Sequence, residues 1–193
     1  MKPTGMKPTG MKPTGMKSNT KILSEAAVAV ALAGVLNFVK IFTLPQAGSI
    51  TAGAMVPVLW FALRRGAKWG VLAGVVFSFV VMLNPADFFV VHPVQLLLDY
   101  PIAFGALGLA GFFQKHELTG VAVGIGGRFL AHFLSGLIFF AIYAPQVFLG
   151  LNIGGNAYSY SALYNGSFML PELVISLLVI TVLVRRNLID LYK

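Results

Sequence analysis

Three stripes of polar side chains interrupt stretches that are otherwise apolar. His92, Gln95 and Asp99 fall at i, i+3 and i+7, so a helix puts them on one face. Arg128, His132, Ser135 and Gly136 form a second stripe, with Phe139 and Phe140 one turn on. Neighbouring residues cannot both face one site, so one of those two phenylalanines must face lipid or core. Asn165 and Glu172, seven apart, form the third stripe, with Tyr160 just before it. Ionisable groups inside apolar helices are costly and normally face a bundle interior or a cavity. A carboxylate, an imidazole, amides and phenols in such a cavity suit a small aromatic cation. The carboxylate supplies charge, and the ring faces supply stacking and cation–π attraction.

Bland readings stand beside this one. Arg128 paired with Glu172 would only neutralise buried charge. His132 can be a satisfied interior histidine, Tyr158 a belt residue at the membrane interface, and His92 a helix cap. His116 reads as a solvated loop residue. A Ser135–His132–Asp99 set lacks a nucleophile elbow and an oxyanion device, so it does not read as an enzyme. The sequence has no Walker-type phosphate loop, no HExxH and no clustered metal ligands. Gly124-Ile125-Gly126-Gly127 follows no strand and is no dinucleotide fingerprint.

The elements that carry these stripes are membrane helices. The chain has 193 residues, 58% of them hydrophobic and only 10% charged, with a mean hydropathy of +0.84. Soluble domains carry about 25% charged residues. There is no cysteine, which excludes disulfides and thiol chemistry. The net charge of +8 sits at the termini and in short loops, which speaks for membrane topology and against nucleic acid. Residues 1–15 repeat MKPTG and read as an expression leader, with Met16 as the native start and 16–193 as a single membrane domain.

The pattern predicts an all-α integral membrane protein of six spans. They run at about 22–42, 50–63, 69–83, 93–113, 121–143 and 164–184. Pro57 should kink the second span, while Pro93 suits the first turn of the fourth. Lys17, Lys21, Arg64, Arg65, Lys68, Lys115, Arg185, Arg186 and Lys193 all fall on one side, which predicts both termini in the cytoplasm. Lys40 is the exception. At ~1.5 Å per residue, Asp99 lies roughly 10 Å below the outer end of its helix and Glu172 about 10–13 Å below that of the sixth. Asp99, His132, Tyr160 and Asn165 can then meet in the outer half. Ala27 and Ala31 leave a smooth strip on the first span, for packing inside the protein or for docking a partner.

His92-Pro93-Val94-Gln95-Leu96-Leu97-Leu98-Asp99-Tyr100 resembles the signature of the thiamine-specific S components of energy-coupling factor (ECF) transporters, the ThiT/YuaJ family. Leu44 to Ser49, Leu63 to Lys68, Arg128 to Gly136 and Tyr160 to Asn165 are similar to other segments of that family, in order. The resemblance covers essentially Lys21 to Val184. It implies a prokaryotic plasma-membrane protein, not an enzyme and without a cofactor. Such a protein captures thiamine from outside and hands it on in a complex with a membrane coupling protein and two cytoplasmic ATPases. The implied binding residues are Asp99, Tyr100, His132, Gly136, Tyr160 and Asn165, with aromatic platforms at Phe89 and Phe140. Ala27 and Ala31 match the strip that docks on the coupling protein.

The chain departs from the family in places. Asp99 stands where some members have Glu, Phe140 and Phe77 where some have Trp, and Phe89 where some have Tyr. The first loop lacks a tryptophan that some members carry, and Glu172 matches no family binding position. A thiamine precursor or another vitamin stays open as the ligand. So does a stand-alone proton-coupled carrier using Asp99, His132 and Glu172, against which the absence of inverted-repeat signs counts.

Overall fold

A computed structural model describes residues 15–187, with side chains from residue 19 onward. The repeat leader, apart from Gly15, and Lys193 lie outside the described residues. Six helical rods form one bundle: α1 (Gly15–Phe38), α2 (Val56–Arg65), α3 (Ala67–Met82), α4 (Pro93–Phe112), α5 (Glu117–Phe139) and α6 (Ala157–Arg185). Among the described residues, four stretches are long and apolar enough to cross a membrane: Asn19–Phe38, Pro93–Phe112, Glu117–Phe139 and Ala157–Arg185.

The first two spans differ from the expected ones. The first helix ends at Phe38, and β1 (Lys40–Thr43) pairs antiparallel with β2 (Ser49–Thr51). The apolar run through Ile41 and Phe42 is strand rather than helix, because β-branched and aromatic residues before a Pro-Gln-Ala-Gly turn favour a hairpin. Pro57 does not kink α2. It sits in the first turn, where its missing N–H costs nothing. At ten residues α2 is too short to span, and it is almost wholly buried. The irregular chain leading into it, Thr51 with Gly53–Met55, is buried too. Irregular backbone survives at membrane depth only where protein satisfies it. Glu172 does this from α6: Oε1 accepts from Thr51 N at 2.5 Å and from Thr51 Oγ1 at 2.6 Å. Thr51 Oγ1 accepts in turn from Ala54 N at 3.0 Å.

α3 and α4 touch backbone to backbone. A Cβ on Gly108 would lie 2.1 Å from Val71 N, so only glycine fits there. α4 opens with His92 as its cap, Nδ1 accepting from Val94 N at 3.1 Å. Midway it widens into a π-turn over Leu98–Ile102, where Pro101 supplies no N–H to the ladder. Asp99 and Tyr100 sit on that widened turn. α5 and α6 start earlier than expected, at Glu117 and Ala157. Glu172 is therefore about 22 Å along α6 from its start, deeper than the predicted depth. A second small hairpin, β3 (Val147–Phe148) with β4 (Leu151–Asn152), folds between α5 and α6.

Candidate functional site

The cleft opens at the end of the bundle that carries the hairpins. The empty space within it is about 800 Å³, the open solvent at its mouth included. All eight residues expected to bind substrate line it: Phe89, Asp99, Tyr100, His132, Gly136, Phe140, Tyr160 and Asn165.

Asp99 is the hub. Oδ2 accepts from Gln95 Nε2 at 2.6 Å and from Ser135 Oγ at 2.9 Å. His132 Nδ1 lies 2.9 Å from Oδ1. Arg128 Nε donates toward His132 Nε2 at 3.4 Å, a long contact. The two contacts fit the imidazole tautomer that carries its proton on Nδ1. The stripes on α4 and α5 thus meet as one network around a single carboxylate. Such a network pre-orients the anion, and a carboxylate has more lone pairs than these donors use.

Arg128 and Glu172 make no ion pair among the described residues. The Arg128 guanidinium lies over the Phe104 ring, 4.0 Å from its centroid, and faces the cleft. Glu172 belongs to Thr51. The charge-neutralising pair is thus replaced by a cation–π contact and a backbone latch. His92 caps α4 and stacks on Phe139 at 5.1 Å, so it stands outside the cleft although it shares the i, i+3, i+7 spacing. Phe139 goes with it, while Phe140 faces the cleft and Phe89, their centroids 5.9 Å apart. Phe77 is core, edge-on to Phe104 at 5.2 Å. His116 and Tyr158 are exposed, in keeping with loop and belt roles.

The walls come from the loops. Tyr160, Tyr164 and Phe168 step along α6 in edge and tilted contacts. Tyr160 Oη donates to Gln46 Oε1 at 3.2 Å, Tyr164 Oη donates to the Pro45 carbonyl, and Gly48 N donates to Tyr164 Oη at 3.1 Å. These bonds fasten the first hairpin over the cleft. Tyr100 Oη donates to the Asp87 carbonyl at 2.7 Å and accepts from Phe89 N at 3.0 Å, which fixes the loop that presents Phe89. Gly136 meets α6: a Cβ there would lie 2.2 Å from Ser161 Oγ.

Sequence reasoning missed Asp87 and Asn37, which also line the cleft. Asp87 pairs with Lys40 and accepts from Asn37 Nδ2 at 2.7 Å and Asn84 Nδ2 at 2.8 Å. Lys40, alone among the cations in its predicted position, was the available signal. A cation beyond the positive side of the membrane needs a carboxylate, and Asp87 was the nearest in type and place. Ala27 and Ala31 are exposed, in line with Leu23 and Val35 along one face of α1. They take no part in packing within the bundle.

Comparison with known proteins agrees with this architecture. A family model described as "Thiamine transporter protein (Thia_YuaJ)" matches residues 23–191. Thiamine transporter ThiT of Bacillus subtilis is 31% identical over 179 residues, covering 83% of this chain and 88% of that protein. Its counterpart in Lacticaseibacillus paracasei is 28% identical over 180 residues, covering 84% and 86%. The solved structure of ThiT from Listeria monocytogenes superposes with a TM-score of 0.75 at 24% identity, covering 88% of this chain and 96% of that one, and so shares the fold. A family match over nearly the whole described chain, together with the Bacillus relative, makes this chain a member of the Thia_YuaJ thiamine transporter family, a multi-pass prokaryotic membrane protein rather than an enzyme.

Proposed function

We propose that the protein binds thiamine in this cleft as the S component of an ECF-type transporter, from the extracytoplasmic side, and passes it on with a coupling protein and two ATPases. The observation that carries the reading is the Asp99 carboxylate, half-buried and, among the described residues, without an ion pair to Lys or Arg, in an aromatic cleft. A cationic heteroaromatic ligand supplies the missing charge, and Phe89, Phe140 and Tyr160 supply ring faces. Asn165 lines the same wall, its Nδ2 donating to Ser161 O at 2.9 Å and its Oδ1 open to a ligand donor. The relatives, thiamine transporters by name, support thiamine as that ligand. The exposed Ala27–Ala31 strip supports docking of a helical partner on α1. Glu172 is spent on Thr51, which weakens a proton relay through Asp99, His132 and Glu172.

Calorimetric titration of the purified protein with thiamine, without ATP, tests the binding half. Both tryptophans, Trp60 and Trp69, lie away from the cleft, so calorimetry is a better probe than tryptophan fluorescence. Saturable binding is expected, and Asp99→Ala should abolish it: losing an ionic partner and its charge-assisted hydrogen bonds costs about 1.5–3 kcal/mol per bond, roughly a hundredfold or more in affinity. Unchanged binding by a folded Asp99→Ala protein would sink the assignment. For docking, Ala27→Trp should bind thiamine normally yet fail in ATP-driven uptake with the partner subunits. Normal uptake would remove that half.

A further inference from the structure

The β3–β4 hairpin has an anchored ring and an exposed apolar tip. Phe148 packs inward, its ring edge-on to Tyr160 at 5.2 Å and 6.3 Å from Tyr164, and so backs the cleft wall. Val147, Leu149 and Leu151 around the turn are 57%, 62% and 54% exposed. The turn itself is Leu149-Gly150, both with positive φ, +50° and +79°. A two-residue turn of this kind favours Asn-Gly, because a left-handed backbone is strained for a branched apolar side chain. In water, asparagine would serve the turn better in backbone and in solvation. Leucine is the wrong residue for an aqueous turn and the right one for an apolar surrounding.

The neighbourhood supplies that surrounding. Residues 129–171 contain no Lys, Arg, Asp or Glu. At the hairpin end of the bundle, Lys40 and Asp87 neutralise each other. The outward face of α5, Leu130, Leu134 and Ile138, runs on at the same four-residue step to Ile142, 85% exposed, and then meets the hairpin. That face looks away from the bundle along a helix long and apolar enough to span the bilayer. Tyr143 and Tyr158, both exposed, flank the hairpin in sequence, and tyrosine is the residue type that membrane proteins carry in their interfacial belts.

We propose that the β3–β4 hairpin is a lipid-binding element: its tip, Val147-Phe148-Leu149-Gly150-Leu151, lies in the boundary between headgroups and acyl chains of the adjacent leaflet. The hairpin thereby stands between bilayer and cleft, with Phe148 as the inward anchor and Leu149 as the outward one. This assignment concerns the lipid surface and holds whatever ligand occupies the cleft.

The absence of cysteine gives a clean test. Leu149→Cys carries a single environment-sensitive bimane label, and the full chain is reconstituted in liposomes. Asn152→Cys, an exposed polar position on the same hairpin, is the comparison. Bimane at 149 should be quenched at least twofold more by lipids brominated near the carbonyl than by aqueous iodide, with the order reversed at 152. Strong iodide quenching at 149 in liposomes would overturn the proposal. So would protection from both quenchers, which means that protein, such as a second copy, covers the tip. Leu151→Cys, also exposed beside the turn, carries the same expectations should Leu149→Cys fail to fold.

Discussion

The two ends of the bundle are built on opposite rules. At the basic end, α2 and α3 are joined through Gly66 alone, in a left-handed conformation with φ +89°. Glu25 on α1 grips Arg65 through Nε at 2.6 Å and Nη2 at 2.5 Å, and Arg64 lies over Trp60. Gln114 Nε2 donates to the carbonyls of Leu63 and Arg64 at 2.9 and 3.2 Å. At the hairpin end the connections are long and irregular. They are fastened by side chains far apart in sequence: Tyr160 to Gln46, Tyr164 to Pro45, Glu172 to Thr51, Asp87 to Lys40 and Asn37. One end is closed by short turns that leave little to move. The other is closed by individual hydrogen bonds, each worth about 1 kcal/mol net, which can open one at a time. A binding cleft belongs at the second end for that reason, with the glycine contact between α3 and α4 holding the frame still.

The sharpest test of that contrast is Gly136→Ala, at the joint between the two helices that carry the site. A methyl group 2.2 Å from Ser161 Oγ must push α5 from α6 and move His132 with it. Overpacking of this kind costs about 1–3 kcal/mol, and ligand affinity should fall by tenfold or more. Adding Ser161→Gly removes the clashing atoms and should restore much of it; calorimetry on the single and double variants checks both. Without rescue, the loss is not steric.

Next comes Glu172→Gln. It keeps an acceptor for Thr51 but loses the charge, so the latch on the chain entering α2 weakens by about 1–2 kcal/mol. A fall of several degrees in Tm is expected, with a smaller effect on ligand affinity. A larger effect on affinity than on stability would place Glu172 in the binding network.

Tyr160→Phe removes the hydrogen bond to Gln46 and keeps the ring. Ligand should leave a few-fold faster, consistent with about 1 kcal/mol, with Tm nearly unchanged; stopped-flow release measures it. Smallest of all, Glu25→Gln at the basic end should lower Tm by a few degrees at most and leave affinity alone, since the amide oxygen still accepts one of the two half-buried Arg65 hydrogen bonds and the loss is about 1 kcal/mol. An affinity change there would break the separation between the ends.

Much of the site was legible because its residues are expensive. A carboxylate, an imidazole and an amide inside apolar helices announce themselves, and helical spacing assigns Gln95, Asp99, His132 and Ser135 to facing stripes. Spacing misjudged His92, because a residue that caps a helix has left the helical path and no longer shares its face. The first hairpin was misread as helix because Val39, Ile41 and Phe42 are apolar in either state, and only pairing with Ser49–Thr51 decides between them. Arg128 and Glu172 looked like partners because opposite charges at similar depth usually are; the phenyl face of Phe104 and the buried backbone N–H of Thr51 came from elements that no spacing rule links to them.

By itself, then, the sequence determined the six-helix membrane chain, its polar stripes and its charge asymmetry. Each follows from local periodicity and from the cost of placing charge in lipid. The tertiary structure alone decided which polar groups bond to which. It made α2 a short buried helix behind an irregular entrance, turned Phe140 inward and Phe139 outward, and set Asp87 against Lys40. Those outcomes depend on contacts between residues tens of positions apart, where backbone groups left unpaired by one element must be satisfied by side chains of another.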